Sequence, residues 1–308
     1  MLHVTNGDAT LPGLARTGLP GEMLPWRDVL HDGPVPALAP AELRAVRARF
    51  IASRGWAPEA KAEADLRERD ERLEAALGRE PVILWFEHDL YDQLQLLQVL
   101  DRLPPEEAGQ VELIQARMFL GALAAEELAD LWPQRRSVSA QQVASARAAW
   151  AAFQGDDPRE LARLASEGGD RLPYLRAALW RLLEELPGVG DGLARTESQL
   201  LEAIAGGAGT RLDAFTASQA REKAAFLGDA SAFARLDDLA GGSRPLIELA
   251  GVRLALTQDG AAVLAGTADR VALTGLDRWI GGVHLRSGAA LWRWDPERRE
   301  PLLLEGAA

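Results

Sequence analysis

A chain of 308 residues with a net charge of −12 is long enough for two cores, since single cores seldom grow past about 250 residues. Its acidity counts against general nucleic-acid binding, which relies on Lys and Arg displacing counterions from phosphates. The 47% hydrophobic share describes a globular chain and cysteine is absent, which excludes disulfides, thiolate zinc sites and a cysteine nucleophile.

No apolar run approaches the roughly 20 residues needed to cross a bilayer. Met1 to Asp8 has neither a cationic start nor a long apolar segment, so no export signal is expected and a cytoplasmic location is. The only lysines are Lys61 and Lys223, and no Gly-x-x-x-x-Gly-Lys-Ser/Thr phosphate loop occurs.

Leu2 to Thr5 reads as a short apolar strand that breaks at Asn6-Gly7-Asp8. Glu22 to Pro25 reads as a second strand, kept short or at an edge by Pro25. Lys61 to Leu77 mixes both signs of charge with Ala and Leu, the pattern of a solvated helix. Val82 to Phe86 is the clearest buried strand, and Val111 to Gln115 is a fourth. Between them Leu90, Leu94, Leu97, Leu100 and Leu103 recur at helical spacing. Strands alternating with helices predict an α/β region over residues 1–120 with a mostly parallel sheet.

Residues 121–190 predict a helical connecting region, with helices broken near Pro133, Gly155 to Pro158 and Gly168-Gly169, and with Trp132, Trp150 and Trp180 as packing residues. Pro187 to Gly192 is the linker candidate. Beyond it, Thr196 is expected to cap a helix with Gln199 reaching back. Helices follow over Asp213 to Phe226 and Asp229 to Leu239, then strands over Pro245 to Leu249 and Val252 to Thr257, then a helical Ala261 to Leu264. Three helices, a two-stranded wing and a Leu-Thr-x-x-Gly turn predict a winged-helix-like module over residues 191–308, with a strand-like Ala290 to Asp295 near its end.

In a parallel sheet the functional edge lies beyond the carboxyl ends of the strands. The first strand exits at Asn6, Gly7 and Asp8; the second into Trp26, Arg27, Asp28, His31, Asp32 and Gly33; the third into Glu87, His88 and Asp89, then Tyr91, Asp92 and Gln93. Three segments thus bring carboxylates and two of the four histidines to one edge. Two unit charges about 4 Å apart repel by roughly 4 kcal/mol at an effective dielectric of 20. Relief comes from Arg27, from a shared proton, or from a divalent cation. Carboxylates here also suit ribose hydroxyls, although no Gly-x-Gly-x-x-Gly follows the first strand.

Each residue also has a plain structural reading. Asp8 caps a helix beginning near Ala9, Asp89 caps the helix through Leu90 and Leu94, His31-Asp32-Gly33-Pro34 makes a turn, and Trp26 plugs the sheet edge. Asn6-Gly7-Asp8-Ala9 is close to a hydrolase Gly-Asp-Ser block, but Ala9 stands where the nucleophile belongs. The His31-Asp32 and His88-Asp89 pairs match metal phosphohydrolases weakly, because those enzymes carry such pairs on helices.

Three segments together, His3-Val4-Thr5-Asn6-Gly7-Asp8, Trp26-Arg27-Asp28-Val29-Leu30-His31-Asp32-Gly33-Pro34 and Trp85-Phe86-Glu87-His88-Asp89-Leu90-Tyr91-Asp92-Gln93, resemble the bacterial family catalogued as domain of unknown function 1835. The similarity covers roughly the first 120 residues. Asp277 to Leu285 resembles a segment of longer members. The resemblance implies kinship and carries no activity.

In the C-terminal module, the recognition-helix position Asp229 to Leu239 holds Arg235 against Asp229, Asp237 and Asp238. DNA readers need cations there, and Arg244 and Arg253 near the wing do not offset the acids. Packing or a protein partner is the better expectation. His284, after Gly281-Gly282 and near Asp277 and Arg278, reads as a buried or turn residue, with a second ligand-binding element as the alternative.

The leading expectation is a small polar ligand, a nucleotide among the candidates, with or without a divalent metal. Asn6, Asp8, Asp28, Asp32, Glu87, Asp89 and Gln93 would hold metal or ligand hydroxyls, His31 or His88 would act as ligand or general base, and Arg27 would meet an anionic group. A winged-helix regulator with the first region as sensor, and an adaptor without a ligand, stand as alternatives.

Overall fold

The computed structural model describes residues 1–167 and 171–305; the break expected at Gly168-Gly169 lies outside them. The first half holds β1 (Leu2–Thr5), α1 (Leu11–Arg16), β2 (Glu22–Pro25), β3 (Gly33–Pro34), α2 (Pro40–Ser53), α3 (Glu59–Ala76), β4 (Val82–Glu87), α4 (Leu90–Asp101), β5 (Val111–Ala116), α5 (Ala125–Leu131), β6 (Arg136–Ser137) and α6 (Ala140–Gln154). A five-stranded sheet runs in the order β2-β1-β4-β5-β6. The first four strands are parallel, and β6 closes the edge antiparallel through Glu112↔Ser137 and Leu113↔Arg136. The predicted α/β region with a mostly parallel sheet is therefore present. The antiparallel edge strand was not foreseen, because two residues leave no periodic signal.

Strand alternation divides the sheet's two faces. Val82, Leu84 and Phe86 join the main core with Leu2, Val4, Leu73 and the α4 leucines. Ile83 and Trp85 point the other way, to Leu14, Ile114, Leu120 and Leu128 beneath α1 and α5. Every residue of β4 is buried, which accounts for its unbroken apolar and aromatic run: a central parallel strand is covered on both faces.

The second half adds α7 (Arg159–Glu167), α8 (Leu175–Leu183), α9 (Arg195–Ala205), α10 (Arg211–Gln219), α11 (Asp229–Ala240), β7 (Ile247–Ala250), β8 (Arg253–Leu256), α12 (Gln258–Leu264), α13 (Arg270–Thr274), β9 (Asp277–Gly281), β10 (Val283–Arg286), β11 (Leu291–Asp295) and β12 (Glu300–Leu304). Helices α9 to α12 with the β7–β8 hairpin enclose a second core from Leu193 to Val263. The chain then returns to the first half. β9 pairs parallel with β3 through Gly33↔Ile280 and Pro34↔Gly281, and Ile280, Val283, Leu285, Leu291 and Trp294 belong to the main core. Among the described residues no helix is long and apolar enough to cross a membrane.

Two local expectations are corrected. The α9 cap is Ala194, whose amide donates to Glu197 at 2.9 Å. Thr196 is instead buried, donating to Glu185 at 2.5 Å and accepting from Arg181 at 2.9 Å, a tertiary demand that outweighs a local cap. The helix expected to reach Phe226 stops at Gln219, which frees Phe226 to pack edge-on against His31.

Candidate functional site

From β1 the chain crosses to β2 on one side and later returns to β4 on the other. The carboxyl ends of β1 and β4 therefore flank the topological switch point, where open parallel sheets leave a crevice. A cavity of about 530 Å³ lies there, a size suited to a small ligand. Its floor comes from the strand exits: Asn6, Gly7, Asp8, Glu87, Asp89, Tyr91 and Asp92. Val29, His31, Trp56 and Phe119 form its walls, and Phe215, Gln219, Phe226, Leu227, Gly228, Ala230 and Ser231 roof it from α10, α11 and the loop between them.

The acidic floor is built by one strand end and one helix start. Glu87 closes β4, and Asp89 caps α4 by accepting from the Asp92 amide at 3.1 Å. Asp92 accepts from the Glu87 amide at 2.5 Å and from Asn6 Nδ2 at 2.8 Å. Glu87 Oε1 accepts from Asn6 Nδ2 at 3.2 Å and from the Leu120 amide at 2.8 Å. Ligand atoms of Glu87, Asp89 and Asp92 all lie within 4.8 Å of one another, and none of the three forms an ion pair with a described residue. Burial pushes Glu87 up to about 7 and Asp89 up to about 6. Burial, then the neighbouring Asp89 and Glu87, holds Asp92 well above the usual carboxylate range. At neutral pH the trio therefore carries less than its full three negative charges, with Asp92 the member held most firmly in its protonated form.

His31 faces the same cavity and is buried, with neither ring nitrogen hydrogen-bonded to any of the described residues. Burial lowers it to about 4, so it is neutral at pH 7 with an unused donor and acceptor. Its ring meets Tyr91 and Phe226 edge-on at 5.8 and 5.1 Å between centroids.

The structure thus brings Asn6, Asp8, His31, Glu87 and Asp89 around one hollow and sends the other candidates elsewhere. Asp8 and Arg27 form a two-pronged ion pair at 2.7 and 2.5 Å on the rim, largely exposed, so Asp8 does not cap α1. Asp28 is buried against Arg47 at 2.7 Å, and its carbonyl accepts from Gln95. Asp32 turns away to Arg235 at 3.6 Å. His88 packs edge-on to Tyr174 outside the lining. Gln93 braces β4 by donating to the Glu87 carbonyl at 2.6 Å. Trp26 is buried, donating to Gln98 at 2.9 Å beneath the Arg69 guanidinium.

Sequence reasoning undervalued Asp92 and Tyr91. Asp92 stands three residues after a capping Asp89, which sets both carboxyls on the first turn of α4. The roof has no sequence signal: Phe215 and Gln219 share one face of α10, but only tertiary structure lays that face over β1 and β4. Compared with known proteins, the chain matches no family model and no curated protein, so its site is read from its own geometry.

Proposed function

We propose that the chain binds a small polar ligand in the cavity between the carboxyl ends of β1 and β4 and the α10–α11 roof. One observation carries this reading: the buried Glu87, Asp89 and Asp92 and the unpartnered His31 converge on a cavity of ligand size. Isolated buried ionisable groups cost stability, and where they gather in a cleft they mark function. Glu87 and Asp89 would accept from the ligand or hold a cation, and neutral His31 would take a hydrogen bond or a proton. A nucleotide is a weaker candidate, because no Lys or Arg among the described residues lines the cavity.

The order of α9, α10, α11, hairpin and α12 supports a winged-helix-like reading of that module, and the acidity of α11 argues for packing over DNA contact. Arg235 is buried toward Asp32, Arg211 pairs with Asp237, and Arg244 pairs with Asp259, so these arginines are already engaged. In the proposed role α11 roofs a ligand site.

The test is a thermal-shift panel of nucleotides, sugars and amino acids, each with and without Mg²⁺, Mn²⁺ and Zn²⁺. A ligand at a hundredfold over its dissociation constant adds about 2.7 kcal/mol. Asp89→Asn keeps a capping side chain while removing the charge, so a site ligand should lose its shift in that variant. Hits indifferent to Asp89→Asn, or no hit at all, would overturn the reading.

A further inference from the structure

Resting on that ligand-site reading, we propose that the ligand is an organic cation: its protonated amine meets Glu87 and Asp89, and its apolar body lies among Phe119, Phe215 and Phe226. Three independent features point to this chemistry. Among the described residues the carboxyl cluster has no cationic partner, and no Lys or Arg among them lines the cavity wall. The Glu87 and Asp89 carboxyls lie side by side on the cavity floor, close enough to share a proton, and an N⁺–H donor can take that proton's place between them. The remaining wall is rich in aromatic rings, whose faces attract cations once water is excluded.

A hard divalent ion is the competing occupant. It takes about six oxygen ligands, and this cluster has Asp92 already committed to two N–H donors. A bare ion also leaves the aromatic walls and roof unused. Charge agrees with a monovalent guest, since the trio at neutral pH shares protons and does not carry its full three negative charges.

Binding should be measured by calorimetry on the full chain with phenethylamine and tryptamine, with their uncharged counterparts phenethyl alcohol and tryptophol, and with Mn²⁺. We expect each amine to bind at least tenfold tighter than its alcohol, about 1.4 kcal/mol. The preference should be lost in Glu87→Gln and in Asp89→Asn, two variants so that one misfolding leaves the other informative. Affinity for the amines should rise between about pH 5 and pH 8, because a carboxyl must release its proton before it can pair with the ammonium. Alcohols binding as well as amines, or Mn²⁺ binding that depends on Glu87 while the amines fail, would overturn the organic-cation assignment and leave the ligand site standing. If no probe binds and the wider ligand panel is also silent, both proposals fall.

Discussion

At the scale of single residues, the site is a place where the fold gives up stability. Glu87 has a native pKa of about 7 against an ordinary 4.5. Such a carboxyl favours the native state below its unfolded pKa and loses that contribution as pH rises through its native one. His31 acts on the opposite limb. Its native pKa of about 4 lies below the ordinary 6.5, so its contribution is present above pH 6.5 and is lost as pH falls toward 4. Glu87→Gln keeps the acceptor for the Leu120 amide and removes only the charge. We expect it to raise the unfolding free energy by about 2 kcal/mol near pH 8, with the gain fading to nothing near pH 4. Urea denaturation across that range checks this; a gain that is flat with pH would show that Glu87 is not strained in the native state.

Among elements, what was legible follows from what is local. The four parallel strands, α4 with its Asp89 cap and the crowding of acids at the strand ends were all readable, because burial on both faces writes continuous apolar runs and caps write short polar signatures. The early end of α10, the displaced α9 cap and the separation of Asp28 and Asp32 from the cavity were not. Each is decided by a partner on another element, outside the reach of local periodicity and capping signals: Phe226 against His31, Thr196 against Glu185, Arg47 against Asp28 and Arg235 against Asp32. The β9–β10 turn belongs with these. Gly281 has φ +57°, and a Cβ on Gly282 would overlap the Gln154 carbonyl at the end of α6, where the Gly282 amide already donates to Phe153 at 2.9 Å. Gly282→Ala should therefore cost about 2 to 3 kcal/mol, measured by chemical denaturation, although nothing in the bare Gly-Gly pair announces such a close approach.

For the whole molecule, the question is what holds the roof over the site. Helix α11 lines the cavity at Ala230 and Ser231 and reaches, one turn further on, a set of buried charges. Arg235 faces Asp32 at 3.6 Å, while Arg270 and Arg278 share Glu197 at 3.5 and 3.4 Å. Asp32 follows His31 directly, so the Arg235 contact ties the roof helix to the cavity wall. Buried pairs add little net stability over apolar replacements, but removing one member strands the other and costs about 3 to 5 kcal/mol. Asp32→Asn and Arg235→Gln should each be destabilising toward that range, and the double variant should cost less than the sum of the two singles by roughly 1 to 3 kcal/mol. Denaturation of the four proteins in the cycle measures this coupling directly. Because Asp32 lies outside the cavity lining, the loss should appear in stability and in weakened retention of any cavity ligand together. A coupling near zero would mean that α11 is held over the cavity by its apolar face alone, through Ala232, Leu236 and Leu239, and that the buried ions contribute nothing specific to its position.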